Sequence, residues 1–502
     1  MSELRRRAAG LIIPRADARS WHDSTYRDAL YRLVDEGVGG IGVFLGGLDE
    51  TARMIEDLRT RGGRRLLFAA DYEHGLPMRL DGGIAFPRAM ALGRTLPGIT
   101  EHVAAAIAQE ARALGVFWNF APVCDINSDP SNPIINTRAF GETPDTVARH
   151  VEAYVRGTQS QRVMACAKHV PGHGDTAVDS HMAMPTIAIT REVAETREFL
   201  PFRAAIDAGV ASLMMGHILV PFLDPDRPAS LSPTVISDLV RTSWGFDGLV
   251  TTDALDMRAI TTSYNAGDAA VLAFEAGNDV LLLPDDPIEA IEALSNALES
   301  ERIGMDRLDD SERRWEVARR FVRPLPSEQQ QPPVDLSSHA HMALLAADAA
   351  IRINGDTSLL PLGSTQPFAA FAVIDEREAD AATTWCNYLA QATEGNSDFA
   401  FIDGSISDEE CDTMASGVAD ASVIIFSFFG SAVAYRGSMT SHERIPDVMQ
   451  RIAAGKPIIV VSCGSPYGME SLPSAMSVYT YSDTMPSLAA CVMRLIGRPA
   501  GG

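Results

Sequence analysis

Gly248-Leu249-Val250-Thr251-Thr252-Asp253 is the stretch on which the fold turns. Four β-prone residues follow a glycine and run without interruption into a carboxylate. So short a run, uniformly suited to burial and bounded by turn signals, predicts a strand covered on both faces, as in a parallel sheet. Seven further runs of this kind precede or follow it, at Gly10–Ile13, Ile41–Leu45, Leu66–Ala70, Val116–Ala121, Val163–Lys168, Ser212–His217 and Asp279–Leu283. Amphipathic helical patterns lie between most of them, for example Tyr26–Asp35 and Ile99–Leu114. Strand-helix alternation implies parallel strands joined by right-handed crossovers. Eight repeats within residues 1–323 fit an N-terminal (β/α)8 TIM-type barrel better than an open sheet.

A barrel places its chemistry at the C-terminal ends of its strands. Five of the eight runs end in a group that can bind or transfer something: Asp71, Asp125, Lys168-His169, His217 and Asp253. Residues 324–337, PLPSEQQQPPVDLS, hold four prolines and three consecutive glutamines and read as a linker. After it, residues 338–502 alternate again. Helix-like Met342–Ile351 leads to the runs Phe368–Ile374, Val423–Phe429, Ile458–Ser462 and Val478–Tyr481, which predict a smaller open α/β sandwich domain without a catalytic cluster.

Composition narrows the function. Of 502 residues, 46% are hydrophobic and 22% charged, an ordinary globular balance that excludes a disordered chain. The net charge of −24 repels phosphate backbones and anionic lipid, which excludes nucleic-acid and membrane-surface partners. Six scattered cysteines show no paired short spacing and read as buried free thiols rather than a disulfide or zinc framework. The apolar stretch near the N-terminus is too short for a signal sequence, and no window reaches the ~18 apolar residues of a membrane span. The expected location is cytoplasmic.

Gly37-Val38-Gly39-Gly40-Ile41-Gly42 has the G-x-G-x-x-G spacing of a dinucleotide site, but a helical segment precedes it and a strand follows, the reverse of what phosphate binding requires. It reads as a glycine-rich turn. The densest polar stretch runs from Lys168-His169 through Pro171-Gly172-His173-Gly174-Asp175 to Asp179-Ser180-His181. Three readings compete for it: a metal site, a surface loop of Asx turns, and a barrel loop presenting an acid/base group. Pro171-Gly172 forbids the helix that would place His169 and His173 on one face. In an extended loop Asp179 and His181 face the same side, and a carboxylate beside an imidazole fixes its tautomer and favours its protonated form. Asp253, ending a buried strand, is either a structural acceptor or a working group. Asp256 reads as a cap or surface residue.

At these residues the chain resembles glycoside hydrolase family 3, in its bacterial β-N-acetylglucosaminidase branch. The resemblance is carried by Ala70-Asp71-Tyr72-Glu73-His74-Gly75 with Arg79, by Asn119 to Asp125, and by Asn132-Pro133-Ile134 with Thr137-Arg138-Ala139-Phe140-Gly141. It continues through Lys168 to His181, Met214-Met215-Gly216-His217 and Thr252-Asp253-Ala254-Leu255-Asp256-Met257. Tyr72 and His74 depart from the usual glutamine and second glycine, and Gly216 stands where alanine is common. The second domain resembles the family's C-terminal domain through Gly455 to Val461 and Ser465-Pro466-Tyr467.

The resemblance implies a retaining exo-acting β-N-acetylglucosaminidase for substrates with terminal β-linked N-acetylglucosamine. It implies Asp253 as nucleophile, His181 as acid/base and Asp179 as the group orienting His181. It implies Asp71, Arg79, Arg138, Lys168 and His169 as sugar-binding residues. No metal or organic cofactor is called for. Two rivals stand beside it: a family 3 β-glucosidase, β-xylosidase or phosphorylase, and a non-catalytic carbohydrate-binding scaffold.

Overall fold

The computed structural model describes residues 2–63, 66–176, 184–323, 333–363, 367–374, 379–394, 398–430 and 444–500. The chain divides into two compact units. The first comprises Met1–Ile84, Thr100–Ile135 and Ala139–Leu336, and the second Ala85–Ile99, Asn136–Arg138 and Ser337–Gly502.

The first unit is built on a curled parallel sheet. Seven strands lie in the order Leu249–Thr252, Ser212–Met215, Met164–Val170, Trp118–Asn119, Leu67–Ala70, Gly40–Phe44 and Arg15–Asp17. An eighth position is filled by Leu281–Leu282, which pairs parallel with Ile12–Ile13, while Thr251 bridges Val280. Each of the eight apolar runs read from the sequence thus overlaps a strand. Burial on both faces is why they carry almost no polar residues: the strands Leu67–Ala70, Ser212–Met215 and Leu249–Thr252 are buried at every position.

The glycine-rich turn has a steric origin. The helix Ser24–Glu36 ends on Gly37 at φ +99°, a left-handed conformation that only glycine takes without cost. A Cβ on Gly39 would lie 2.2 Å from the Gly10 carbonyl oxygen, and one on Gly40 2.7 Å from that of Leu67. The strands approach so closely here that side chains are excluded.

The core includes Trp118 and Trp315 edge to face with centroids 6.2 Å apart, and the Trp118 indole N–H donates to Ser212 Oγ at 2.8 Å. All six cysteines are free and buried, and burial pushes the Cys166 thiol up to about 12. Near the N-terminal end of the strand Leu249–Thr252 sits Asp279, a fully buried carboxylate. Arg241, Arg307 and Arg314 reach it at 2.5, 3.3 and 3.4 Å, and the Ser311 hydroxyl and Val250 N–H at 3.1 Å each. It ties the last helix of the unit, Met305–Phe321, to the sheet.

The second unit holds a six-stranded sheet in the order Arg352–Gly355, Met476–Tyr479, Ile458–Gly464, Val423–Gly430, Phe368–Val373 and Asp398–Ile402. Every pairing is parallel except that of Arg352–Gly355 on the edge. The sequence reading missed both edge strands, since Arg352–Gly355 is largely exposed and carries no apolar run. Among the described residues no helix is long and apolar enough to cross a membrane.

Asp279→Ala leaves three guanidinium groups without their buried counter-charge and is expected to lower the stability of the first unit by about 3–5 kcal/mol. Asp279→Asn should cost less. Urea unfolding followed by tryptophan fluorescence measures this, and an unchanged midpoint would refute the anchoring role.

Candidate active site

Three strands deliver the principal groups. Leu67–Ala70 runs into Asp71, Met164–Val170 carries Lys168 and His169, and Leu249–Thr252 runs into Asp253. The strand Ser212–Met215 lies between the last two: Lys168 is in register with Met214, and both Val170 and Thr252 with Met215. The Asp253 N–H donates to the Met215 carbonyl at 2.9 Å. Residues far apart in the chain are therefore neighbours because parallel strands end together.

Lys168 is almost fully buried and is held by charge. Its Nζ lies 2.8 Å from Asp71 Oδ1 and 2.8 Å from Glu73 Oε1. Arg79 approaches Asp71 Oδ2 at 2.5 Å. Two carboxylates and two cations compensate one another, as burial requires. Burial alone would push the Asp71 carboxyl up; Lys168 and Arg79 outweigh it and hold the group well below the usual carboxylate range. The Arg79 guanidinium lies over the Phe44 ring at 4.9 Å, and Arg15 over the same ring at 4.2 Å. Arg15 in turn donates to Asp256 at 2.7 Å, so Asp256 is an ion-pair partner rather than a helix cap.

A second group centres on Asp125, which is fully buried. It accepts the backbone N–H groups of His169 and His173 at 3.3 and 2.7 Å. Its Oδ2 lies 2.8 Å from His169 Nδ1. A carboxylate offers no hydrogen, so Nδ1 of His169 carries the proton in this contact. His173 meets the Thr176 hydroxyl through Nδ1 at 2.8 Å, while its buried Nε2 has no hydrogen-bond partner among the described residues. Burial pushes the His173 ring down to about 4. Among the described residues no three His, Cys, Asp or Glu side chains are placed to hold a metal ion.

Around Asp253 the loop is fixed by His217. Its Nε2 lies 2.9 Å from the Ala254 carbonyl oxygen and its Nδ1 2.7 Å from Ser230 Oγ. A carbonyl accepts only, so Nε2 donates and Nδ1 accepts from the serine. Burial lowers the His217 pKa and so favours this neutral ring. Asp253 Oδ1 accepts its neighbour's N–H at Ala254, 2.8 Å away.

Of the sequence-predicted residues, Asp71, Arg79 and Lys168 form one network, His169 belongs to the adjoining one, and Asp253 ends a strand of the same sheet. Arg138 closes the short turn Asn136–Arg138, grouped with the second unit. Asp179 and His181 lie outside the described residues. The sequence reading assigned no role to Glu73, although it stands two residues beyond Asp71, the spacing that puts both carboxylates on one side of an extended segment. Asp125 and His217 were legible as strand-end groups but not as partners of His169 and Ala254. Glu198 left no signal: its carboxylate lies against Gly172, where a Cβ would come within 3.1 Å of Oε2, yet the two are distant in the chain.

The model of the glycosyl hydrolase family 3 N-terminal domain matches residues 8–317. Beta-hexosaminidase A of Pseudoalteromonas piscicida is 33% identical over 309 residues, covering 55% of this chain and 52% of that protein. A beta-hexosaminidase of Chromobacterium violaceum is 32% identical over 270 residues, covering 52% of this chain and 75% of that protein. The matched region thus spans about half of the former relative's length. A solved family 3 beta-N-acetylglucosaminidase from Paenibacillus sp. str. FPU-7 superposes with a TM-score of 0.84 at 29% identity, covering 99% of this chain and 97% of that one.

The buried ionisable groups set the pH response. Burial pushes His150 and His173 down to about 4 each, whereas unfolded histidine titrates near 6.5. Their contribution is present above about 6.5 and is lost as pH falls through about 4, because only the unfolded chain takes up the protons. Glu198 acts with the opposite sign. Burial, opposed by Arg197, pushes its carboxyl up to about 7, so its contribution is full below its unfolded value near 4.3 and lost as pH rises through about 7. Glu198→Gln removes that compensation, and the loss of stability from pH 6.5 to 5 should steepen by about one proton, about 1.4 kcal/mol per pH unit. Urea midpoints across this range measure the slope; an unchanged slope would mean that Glu198 stays ionised in the folded protein.

Proposed function

Because this chain belongs to glycosyl hydrolase family 3, we propose that it is a retaining, exo-acting β-N-acetylglucosaminidase that removes terminal β-linked N-acetylglucosamine. The observation that carries this reading is the compensated Asp71–Lys168–Arg79 network at the end of the strand sheet that also ends in Asp253. The hexosaminidase and N-acetylglucosaminidase relatives support the choice of sugar. We read the curled sheet as a (β/α)8 barrel, since the Ile12–Leu281 pairing and the Thr251–Val280 bridge join its two edges. Residues 1–323 then form the catalytic domain and 338–502 a smaller α/β domain beyond the linker 324–337.

In this reading Asp253 attacks the anomeric carbon and forms a covalent glycosyl-enzyme. His181, protonated and oriented by Asp179, gives its proton to the leaving oxygen. Neutral His181 then takes a proton from the water that opens the intermediate. Asp71, ionised far below neutral pH, accepts from sugar hydroxyls, and Lys168 donates to them; Arg79 and His169 complete the orientation. The His217–Ala254 contact keeps Asp253 at its strand end. A rigid set of this kind lowers the barrier by holding a near-attack geometry.

Asp253→Asn preserves volume but cannot attack, and should reduce hydrolysis of aryl N-acetyl-β-glucosaminides by at least about a thousandfold with unchanged thermal stability. A slow 5-fluoro N-acetylglucosaminyl donor should label the peptide holding Asp253. A label elsewhere, or faster turnover of aryl β-glucosides and β-xylosides than of the N-acetyl substrates, overturns the assignment of nucleophile or sugar respectively.

A further inference from the structure

Of the groups assigned to the sugar, Asp71 can only accept hydrogen bonds, and Lys168 and Arg79 can only donate them. His169 is different. A neutral imidazole donates through one nitrogen and accepts through the other, and its surroundings decide which does which. Asp125 supplies those surroundings. It has no exposed surface, and the chain lays it beside His169: Val123 bridges Lys168 in parallel, and the Cys124 N–H donates to the Lys168 carbonyl at 2.6 Å.

Three N–H groups converge on the Asp125 carboxylate and divide it unequally. Oδ1 accepts both backbone donors, those of His169 and His173, at 3.3 and 2.7 Å, while Oδ2 lies 2.8 Å from His169 Nδ1. The backbone donors are delivered by a tight turn in which the Gly172 N–H donates to the His169 carbonyl at 2.7 Å. Gly172 takes φ +127° in that turn, and a Cβ on Gly174 would fall 1.5 Å from the Ile126 carbonyl oxygen. Only glycines let the segment pack this closely on Asp125 and Ile126. The His173 ring turns its own Nδ1 to Thr176 at 2.8 Å, so the carboxylate serves one imidazole. Oδ1 is committed to backbone, which leaves Oδ2 for Nδ1. Nε2 of His169 takes no part in these contacts.

We propose that Asp125 is a positioning residue for sugar recognition: it keeps the His169 proton on Nδ1, leaves Nε2 as an acceptor, and so fixes the direction of the hydrogen bond between His169 and a sugar hydroxyl. This rests on the reading of His169 as a sugar contact. The two backbone donors make the role specific to a carboxylate. In Asp125→Asn the amide oxygen has to stay with the backbone N–H groups, so the amide nitrogen turns to the ring. Nδ1 must then accept, and the ring proton moves to Nε2. A hydroxyl that met an acceptor now meets a donor, with the shape of the site unchanged and its polarity reversed.

The test joins tautomer to turnover. Proton–nitrogen correlation spectra of the full chain carrying isotope-labelled histidine, at about pH 8 and so above the ordinary histidine range, read where the His169 proton sits. His169→Gln identifies the signal by its disappearance. The proton is expected on Nδ1 in the parent and on Nε2 in Asp125→Asn. In that variant kcat/KM on aryl N-acetyl-β-glucosaminides should fall about 10- to 100-fold, by a similar factor for good and poor leaving groups, because the change acts on the sugar and not on the aglycone. In a His169→Gln background the same substitution should cost less than about threefold. A parent ring with its proton on Nε2, or on both nitrogens, overturns the proposal, and this reading decides the matter if Asp125→Asn does not fold. A loss from Asp125→Asn that is as large in His169→Gln as in the parent overturns it as well. The two readings separate through His169→Gln alone: if that variant keeps full kcat/KM, His169 is not a sugar contact and the proposal falls with it. If His169→Gln is impaired but the proton stays on Nδ1 in Asp125→Asn, only the role of Asp125 is wrong.

Discussion

Lys168 between Asp71 and Glu73 is the interaction on which the site depends. An ammonium group with 3% of its side chain exposed cannot remain charged in the interior without compensation, and each carboxylate beside it faces the same penalty. The three must therefore sit together, with Arg79 completing the balance. Lys168 belongs to one strand and Asp71 follows another, with Trp118–Asn119 between them in the sheet. Compensation across that gap aligns the strand ends. It also keeps Asp71 ionised at any ordinary pH, so the group is available only as a hydrogen-bond acceptor.

The charges are divided by depth and by end. Asp279, near the start of its strand, meets three arginines and serves cohesion; its geometry saturates the carboxylate and leaves it nothing to do. The groups at the opposite ends of the strands are instead tied to one another through hydrogen bonds that fix tautomers. Asp125 fixes the proton on His169 Nδ1, and the Ala254 carbonyl fixes it on His217 Nε2. Buried His173 and His217 show the same principle in reverse: where no carboxylate meets the ring, burial lowers the pKa and favours the neutral form. The fold thus uses two solutions to buried ionisable groups within one unit: paired charges around Asp71 and Asp279, and neutral rings at His173 and His217.

The strands of the first unit were legible because they are short, apolar and covered on both faces, so composition alone marks them. The glycine-rich turn was legible through the order of the elements around it. The edge strands Arg352–Gly355 and Asp398–Ile402 were not: the first is largely exposed and carries no apolar run, and the apolar run Phe399–Ile402 of the second was passed over. Asp256, read as a cap or surface residue, lies at the surface in an ion pair with Arg15, and an ion pair between residues so far apart in the chain has no local signature.

What the sequence determined by itself was the set of groups and the ends of strands on which they stand. Runs such as Leu249–Thr252 leading into Asp253 carry both pieces of information in consecutive residues, since strand burial selects apolar side chains and a polar residue at the end has to leave the core. The motif order likewise carried the family. What only the tertiary structure decided was who partners whom: Glu73 with Lys168, Asp125 with both His169 and His173, His217 with the Ala254 carbonyl, and Arg197 with Asp175 and Glu198. These pairings depend on strand register and on the close approach permitted by Gly172. Hydrogen bonds and charge compensation act over about 3 Å in space, whereas the residues they join are separated by long stretches of chain, and that distance is closed only by folding.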